Sequence, residues 1–242
     1  MKQKFFDKPW WQNMLSATVG TIIGIIVTFG TTAYLEEKHK DEIARKTVIM
    51  TLHNIDASIR NAEDMIYELS LLETLADRAL SLMPNRLSEM PEDSLEMVFS
   101  GFASQSIFIA DRSTNDIFSH SFQIWESFDD VKVVGRIGNC FSEIEEVSNM
   151  FYALQGMRMK IVERYYEQRP PEDYASKADV VKALLERNDV KLYYELHKHH
   201  QHMMTALVKV VTALNDYNKK ELGVSQSELD EIGKLLPENV DL

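Results

Sequence analysis

The residues best suited to chemistry are four histidines packed between residues 197 and 202, with a glutamate just before them. On a helix, residues three or four positions apart share a face. His197 can therefore meet His200, His199 can meet His202, and Glu195 lies over His199. Imidazole and carboxylate groups at these spacings can hold Zn, Ni or Cu. The candidate metal ligands are thus His197, His199, His200 and Glu195.

The apolar residues of the same segment predict which histidines face the protein interior. They form one stripe at helical spacing: Leu192, Leu196, Met203, Leu207, Val210 and Leu214. With Leu196 at the centre of the buried face, we expect His199 and His200 to flank that face. His197 then sits at its edge and His202 points away from it.

Four histidines placed in this way do not converge on one point. A metal site would need a further ligand from another helix or another subunit, such as His53 or His120. Two alternatives stay open for the cluster. It can respond to pH, because histidine titrates near neutrality, or it can be a polar, partly buried stripe without special chemistry.

Other signatures of catalysis are missing from the sequence. It contains no phosphate loop and no GxGxxG, HExxH or GxSxG motif. Cys140 is the only cysteine, so it can form neither an internal disulfide nor a zinc site of paired cysteines. We therefore expect no enzyme, no catalytic residues and no cofactor.

The elements that must position these residues start from an uncharged run over residues 15–35. About twenty apolar residues in a helix span roughly 30 Å, the thickness of a bilayer's hydrocarbon core. Trp10, Trp11 and Tyr34 flank the run as interface anchors. The run is long for a cleaved signal peptide, and it has no charge on any face, whereas a core helix would show a polar stripe. It predicts a retained transmembrane helix.

One face of this run carries small residues at every fourth position. They are Ser16, Gly20, Gly24, Thr28 and Thr32. Such a row lets two helix backbones approach closely and lets hydroxyl groups bond across the gap. It predicts self-association in the membrane.

The flanks of the run indicate its orientation. Counting Lys and Arg, the two sides carry similar numbers, but the short first flank is net positive and acids neutralise the second. This is typical of a signal anchor with the amino terminus in the cytoplasm. We expect the main domain outside, in the periplasm.

The rest of the chain predicts an all-α fold, since it has few Gly and Pro residues. Apolar residues at alternating steps of three and four form the seam of a coiled coil or bundle: Val48, Leu52, Ile55, Ile59, Ala62, Ile66, Leu69, Ala76 and Leu80. Glu73 breaks this seam and Leu72 can take it over. The domains are a basic tail (1–14), a transmembrane helix (15–35), a stalk helix (36–83) and a helical bundle (84–242).

Capping residues and helix-ending Pro and Gly residues predict further helices. Pro91 opens a helix, and Gly135 and Gly138 predict a bend before a helix from Ser142 to about residue 168. A last long helix, with a possible break near residues 188–189, ends at Gly223, and Ser225 caps a final short helix to residue 236. Two short apolar runs, at residues 107–110 and 131–134, could be strands or helices.

The opening of the chain resembles a group of bacterial single-pass membrane proteins frequent in Bacteroidetes. The matching stretches are residues 20–30, with Gly20, Gly24 and Gly30, then Glu36-Glu-Lys-His39, then residues 45–56. In that group a short basic tail leads into a Gly-containing span and a charged helix. The group has no established activity, so the resemblance implies architecture alone.

The function expected is that of a membrane-anchored interaction protein: a scaffold, adaptor or accessory subunit of an envelope assembly, forming homo-oligomers. Its partners are the lipid bilayer and envelope proteins. A formal charge of −12 repels nucleic acid. The alternatives are a ligand-sensing or effector module that signals through the span, and a metal-binding protein that uses the His cluster.

Overall fold

The computed structural model describes the backbone of residues 8–103, 131–168 and 176–235, and the side chains of residues 38–102, 131–167 and 176–231. Every regular element in these ranges is helical, which confirms the all-α bundle. The elements are α1 (Lys8–Leu82), a 3-10 turn (Leu87–Glu89), α2 (Glu92–Ala103), α3 (Val131–Gln168), α4 (Lys177–Leu185), α5 (Asn188–Glu221) and α6 (Gln226–Leu235).

Three long helices, α1, α3 and α5, form the body of the bundle. The most extensive packing joins α3 to α5, followed by α1 to α5. Lys198 of α5 bonds to Asp77 of α1, whereas Lys219 bonds to Asp56, so α5 runs antiparallel to α1. Cys140 of α3 faces Val211 of α5, and Arg164 of α3 lies 4.0 Å from Asp189 of α5, so α3 runs antiparallel to α5 and therefore parallel to α1. Helices α2 and α4 pack together at one end of this body and α6 packs on α1 at the other.

The seam predicted for α1 is confirmed. Its positions at seven-residue spacing are all at most 6% exposed: Val48, Ile55, Ala62, Leu69 and Ala76. Where Glu73 interrupts the seam, Leu72 lies against Gly101 of α2, and a Cβ atom at that glycine would overlap the Leu72 methyl groups. The glycine therefore permits the close approach of α2 to α1.

The bend predicted at Gly135 and Gly138 is wrong. Helix α3 begins at Val131 and runs without interruption through both glycines. The reason is packing: buried residues at helical spacing continue across the two glycines, from Val133 through Ile137 to Cys140. A continuous buried stripe outweighs the cost of about 1 kcal/mol for each glycine in a helix. Residues 131–134 are therefore helical.

The centre of the apolar stripe predicted for α5 is wrong by about 100° of rotation, although Leu196, Leu207 and Leu214 of that stripe are half-buried and pack against the core. The positions buried in the bundle recur every seven residues and are at most 1% exposed: Val190, His197, Met204, Val211 and Asn218. Leu192, Met203 and Val210 of the predicted stripe are instead 55%, 38% and 47% exposed. Helix α5 has apolar residues on two faces, and the face that also carries Tyr193 and Tyr194 packs inward.

The predicted break before α5 and the predicted final cap are confirmed. Helix α4 ends at Leu185 and α5 begins at Asn188. Gly223 adopts φ +58°, which suits the residue after a helix. The backbone N–H of Ser225 donates to Glu228 Oε2 at 2.9 Å, and the N–H of Glu228 donates back to Ser225 Oγ at 3.4 Å. This is a capping box.

No helix among the residues whose side chains are described has the length and apolar character needed to cross a bilayer. The predicted span, residues 15–35, lies outside those residues. So do the small-residue row (Ser16, Gly20, Gly24, Thr28, Thr32) and the expected interface anchors (Trp10, Trp11, Tyr34). The backbone of this stretch belongs to α1.

Candidate functional site

The structure separates the histidines of the cluster instead of gathering them. His197 is 1% exposed, whereas His199 and His202 are exposed and His200 is half-buried. The expectation that His199 and His200 flank the buried face, with His197 at its edge, is therefore wrong. The cause is the rotation of α5, which turns His197 into the core and carries His199 outward.

The partners of the remaining candidate ligands also differ. His200 Nδ1 lies 2.8 Å from the carbonyl oxygen of Leu196, so that nitrogen donates a hydrogen bond. The His199 and His200 rings stand 6.0 Å apart, and Glu195 is exposed. His53 lies on α1 beside Asn54, and His120 falls outside the described residues. In the described part of the chain, no three His, Cys, Asp or Glu side chains are grouped to hold a metal.

His197 sits in an aromatic environment that keeps it neutral. Its ring centroid lies 5.7 Å from that of Tyr193 and 6.4 Å from that of Tyr194. Within the described residues its Nδ1 atom has no hydrogen-bond partner. Burial, with smaller effects from the charges of His200 and Lys198, lowers the pKa of His197 to about 4. At neutral pH this histidine is a buried uncharged group.

A buried arginine lies next to this aromatic cluster. Arg158 of α3 is 2% exposed and donates through Nη1 to the carbonyl oxygen of Gly101 at 3.1 Å. Its Nε and Nη2 atoms have no partner among the described residues. Burial lowers the pKa of Arg158 and raises that of Tyr193 to about 12, while the nearby guanidinium opposes the rise at Tyr193. Phe102 of α2 packs edge-on against Tyr193 at 5.4 Å.

Polar bonds fix the register of α5 against α1 near the other end of the bundle. The buried Asn215 donates to the carbonyl oxygen of Leu52 at 3.2 Å and to Asp56 at 2.8 Å. Lys219 bonds to the same Asp56 carboxylate at 2.7 Å. On the α3 side, Arg136 donates to Asn218 at 2.8 Å. These bonds are structural, because each one joins two helices of the bundle.

One apolar pocket of about 170 Å³ opens between α2, α3 and α4. Its walls are Leu95, Phe99, Tyr165, Val180 and Val181, with the partly exposed Glu96 and Lys177. Lys177 bonds to Glu96 at 2.8 Å and lies 3.6 Å from Glu92. The pocket can take a small apolar group, and the acidic residues beside it favour a neutral or cationic ligand.

Sequence reasoning missed the buried polar residues for an identifiable reason. The seven-residue spacing from Val190 to Asn218 is present in the sequence, but His197 and Asn218 occupy two of its five positions. A search for apolar residues alone selects the other face. Arg158 and the pocket have no comparable signal, because both depend on how α2 packs against α3.

Comparisons of the chain with protein-family models, with curated proteins and with solved structures found no match.

Proposed function

We propose that this chain is a membrane-anchored helical interaction protein, a scaffold, adaptor or accessory subunit of an envelope assembly. The observation that carries the proposal is the continuity of α1, which is one helix from Lys8 to Leu82. Its first part contains the uncharged residues 15–35, and its later part, from Ala44 onward, packs one face into the bundle. One helix of 75 residues, roughly 110 Å long, thus contains both the uncharged run and the segment that packs into the bundle.

The proposed anchor holds the bundle close to the membrane. Residue 35 and Ala44 are nine positions apart, which is roughly 14 Å of helix. Residues 38–43 are exposed, as expected of a short stem between a bilayer and a packed domain. Because no loop interrupts α1 in this region, rotation or association of the span would be transmitted directly to the bundle.

The placement of the perturbed groups supports an interaction role over catalysis. Catalytic residues with shifted pKa values lie in clefts that a substrate can enter. Here the pKa values of Cys140, Tyr193 and His197 are shifted mainly by burial within the core. We therefore propose no catalytic role for them.

The charges of the flanks support the proposed orientation. Because the short first flank is net positive, we propose that the amino terminus lies in the cytoplasm and the bundle outside.

Membrane fractionation tests the anchor. The double variant Ile23→Lys/Ile26→Lys puts two charges into the uncharged run, each costing about 2.5–3.5 kcal/mol at the centre of a span. We expect the native chain in the carbonate-resistant membrane pellet and the variant in the soluble fraction. The matched control Ile23→Leu/Ile26→Leu should stay in the pellet. Recovery of the native chain in the soluble fraction would contradict the proposal.

Cysteine labelling tests the orientation. Cys140 is fully buried and burial raises its pKa to about 12, so it should not react with a maleimide in the folded protein. Ser88→Cys adds one exposed thiol near α2. We expect a membrane-impermeant maleimide to label this variant in intact spheroplasts, with Cys140 as the internal unlabelled control. Labelling that requires lysis would reverse the orientation.

The apolar pocket favours a second candidate function, a ligand-sensing module. Its 170 Å³ is close to the volume of an engineered cavity of about 150 Å³ that binds benzene. Benzylamine, which joins a ring to a cation, matches the apolar walls and the acidic residues beside them. We expect it to raise the thermal unfolding temperature of the native chain. In the variant Leu95→Trp, which fills the pocket, that rise should disappear. No rise in the native chain would remove this candidate.

A further inference from the structure

Helix α5 carries a second apolar face that is largely exposed. We call it the outer seam. Its members are Leu192, Leu196, His199, Met203, Ala206, Val210, Ala213 and Tyr217. All are exposed except Leu196, which is half-buried and packs against the core; Tyr217 is 55% exposed and Val210 47%. Large apolar side chains exposed in one row are typical of an interaction surface.

The spacing of the outer seam is that of a coiled coil. Its members follow alternating steps of four and three, so that Leu196, Met203, Val210 and Tyr217 form one seven-residue series. The second series alternates with it and includes Ala206 and Ala213, whose small side chains allow close helix approach. The seam extends over 26 residues, roughly 38 Å, and contains no Asp, Glu, Lys or Arg.

The outer seam faces away from α1. The α5 residues that bond to α1 are Lys198, Asn215 and Lys219. At about 100° per residue, Asn215 and Lys219 lie roughly 140–180° around the helix axis from Val210 and Ala206, and Lys198 lies roughly 80–120° from them. The middle of the seam is therefore turned away from α1, whereas Tyr217 at one end lies under the Arg136 guanidinium of α3, 4.7 Å from its ring centroid.

We propose that the outer seam docks against the outer seam of a second copy of this chain, with the two α5 helices parallel and in register. This rests on the proposed function, because two copies anchored in one membrane through α1 have their α5 helices running in the same direction. A twofold axis along the membrane normal then pairs each seam residue with itself. His199, the one histidine of the seam, would specify the register as a polar residue does in coiled coils.

The size of the seam argues for a second anchored copy and against a soluble partner. A helix face about 10 Å wide and 38 Å long buries roughly 400 Å² on each copy. The total of roughly 800 Å² is below the 1,200 Å² or more of stable complexes between free proteins. Two copies held in one membrane have a high effective concentration, so a small interface is sufficient. Dilution in detergent should therefore dissociate the dimer.

Disulfide cross-linking of the full chain in membranes tests the pairing. A disulfide needs two Cα atoms about 4.4–6.8 Å apart, and the proposed in-register pairing places the thiol of Ala206→Cys opposite its own copy. After oxidation we expect a covalent dimer in Ala206→Cys. The control variant Asn61→Cys, at an exposed position on α1, should give at least tenfold less covalent dimer. Cys140 is buried and serves as an unreactive background in both.

A charge in the seam should abolish the cross-link. Val210→Glu is added to Ala206→Cys, and Tyr67→Glu, at a 70% exposed tyrosine of α1, is the matched control. We expect the dimer to fall at least tenfold with Val210→Glu and to be unchanged with Tyr67→Glu. Protection of Cys140 from maleimide shows that each variant is folded. Ala213→Glu, also at an exposed position, replaces Val210→Glu if that protection is lost.

The outcomes separate the seam from the anchor. A membrane-bound chain without the Ala206→Cys dimer, or with a dimer that survives Val210→Glu, would overturn the seam proposal alone. A cross-linked product of another mass would identify a different protein as the occupant and overturn self-docking. If fractionation instead finds the chain soluble, the anchor fails and the parallel pairing, which rests on it, is overturned as well.

Discussion

Lowering the pH should destabilise the bundle through His197. In the folded protein the pKa of this residue is lowered from 6.5 to about 4, chiefly by burial. Below about pH 6.5, His197 binds a proton in the unfolded chain but stays neutral in the native state, so the free energy of unfolding falls as pH decreases. One pKa unit corresponds to about 1.4 kcal/mol. The neutral form of His197 therefore contributes about 3 kcal/mol to the free energy of unfolding above pH 6.5, and this contribution is lost by about pH 4.

The assay compares urea unfolding of the full chain in non-ionic detergent at pH 7.5 and pH 4.5. His197→Leu removes the titration and keeps an apolar side chain in the core, while His202→Gln changes an exposed histidine as the control. The carboxylates titrate alike in all three proteins and cancel. Between the two pH values, we expect native and His202→Gln proteins to lose about 2–3 kcal/mol more than His197→Leu. Equal losses in all three would show that His197 accepts a proton in the folded state and would refute the reasoning.

Three further predictions concern the core. Gly101→Ala should destabilise the bundle by about 1–3 kcal/mol in urea unfolding, because the new methyl group displaces Leu72. The double variant with Leu72→Ala should lose less stability than the sum of the losses of the two single variants. Cys140 should resist dithionitrobenzoate at pH 8 and react only after denaturation, since burial raises its pKa. Arg158→Met should leave the free energy of unfolding unchanged or raise it by about 1 kcal/mol, because it removes a buried charge with unbonded donors; a large loss would indicate an anionic partner.

The sequence predicts the helices of this protein well and their orientation less well. The α1 seam is confirmed because nearly all its seven-residue positions are apolar, so the pattern has one solution. The capping box at Ser225 is confirmed because it needs only local residues. Both features depend on contacts that a single segment specifies.

Helix α5 shows why the remainder could not be predicted. It carries two apolar faces, and the sequence of one helix cannot decide which face meets α1 and α3. The choice depends on bonds from other helices, such as the pairing of Asn215 with Asp56. The placement of His197, and with it the candidate metal site, follows from that choice. The glycines of α3 were misjudged in the same way, since packing from other helices keeps that segment helical.

The two proposed contacts between copies have a joint consequence for assembly. The small-residue row of the predicted span would bring two α1 helices together, whereas the outer seam of α5 faces away from α1. With helix axes about 8–10 Å apart, docking through the seam separates the two α1 helices by roughly 25 Å. One pair of copies therefore cannot use both contacts if α1 is straight. Two different twofold contacts on one chain, both with axes along the membrane normal, instead join copies into an open row. A scaffold of this kind would lose its long assemblies, while retaining dimers, when either Gly24→Leu or Val210→Glu is introduced alone.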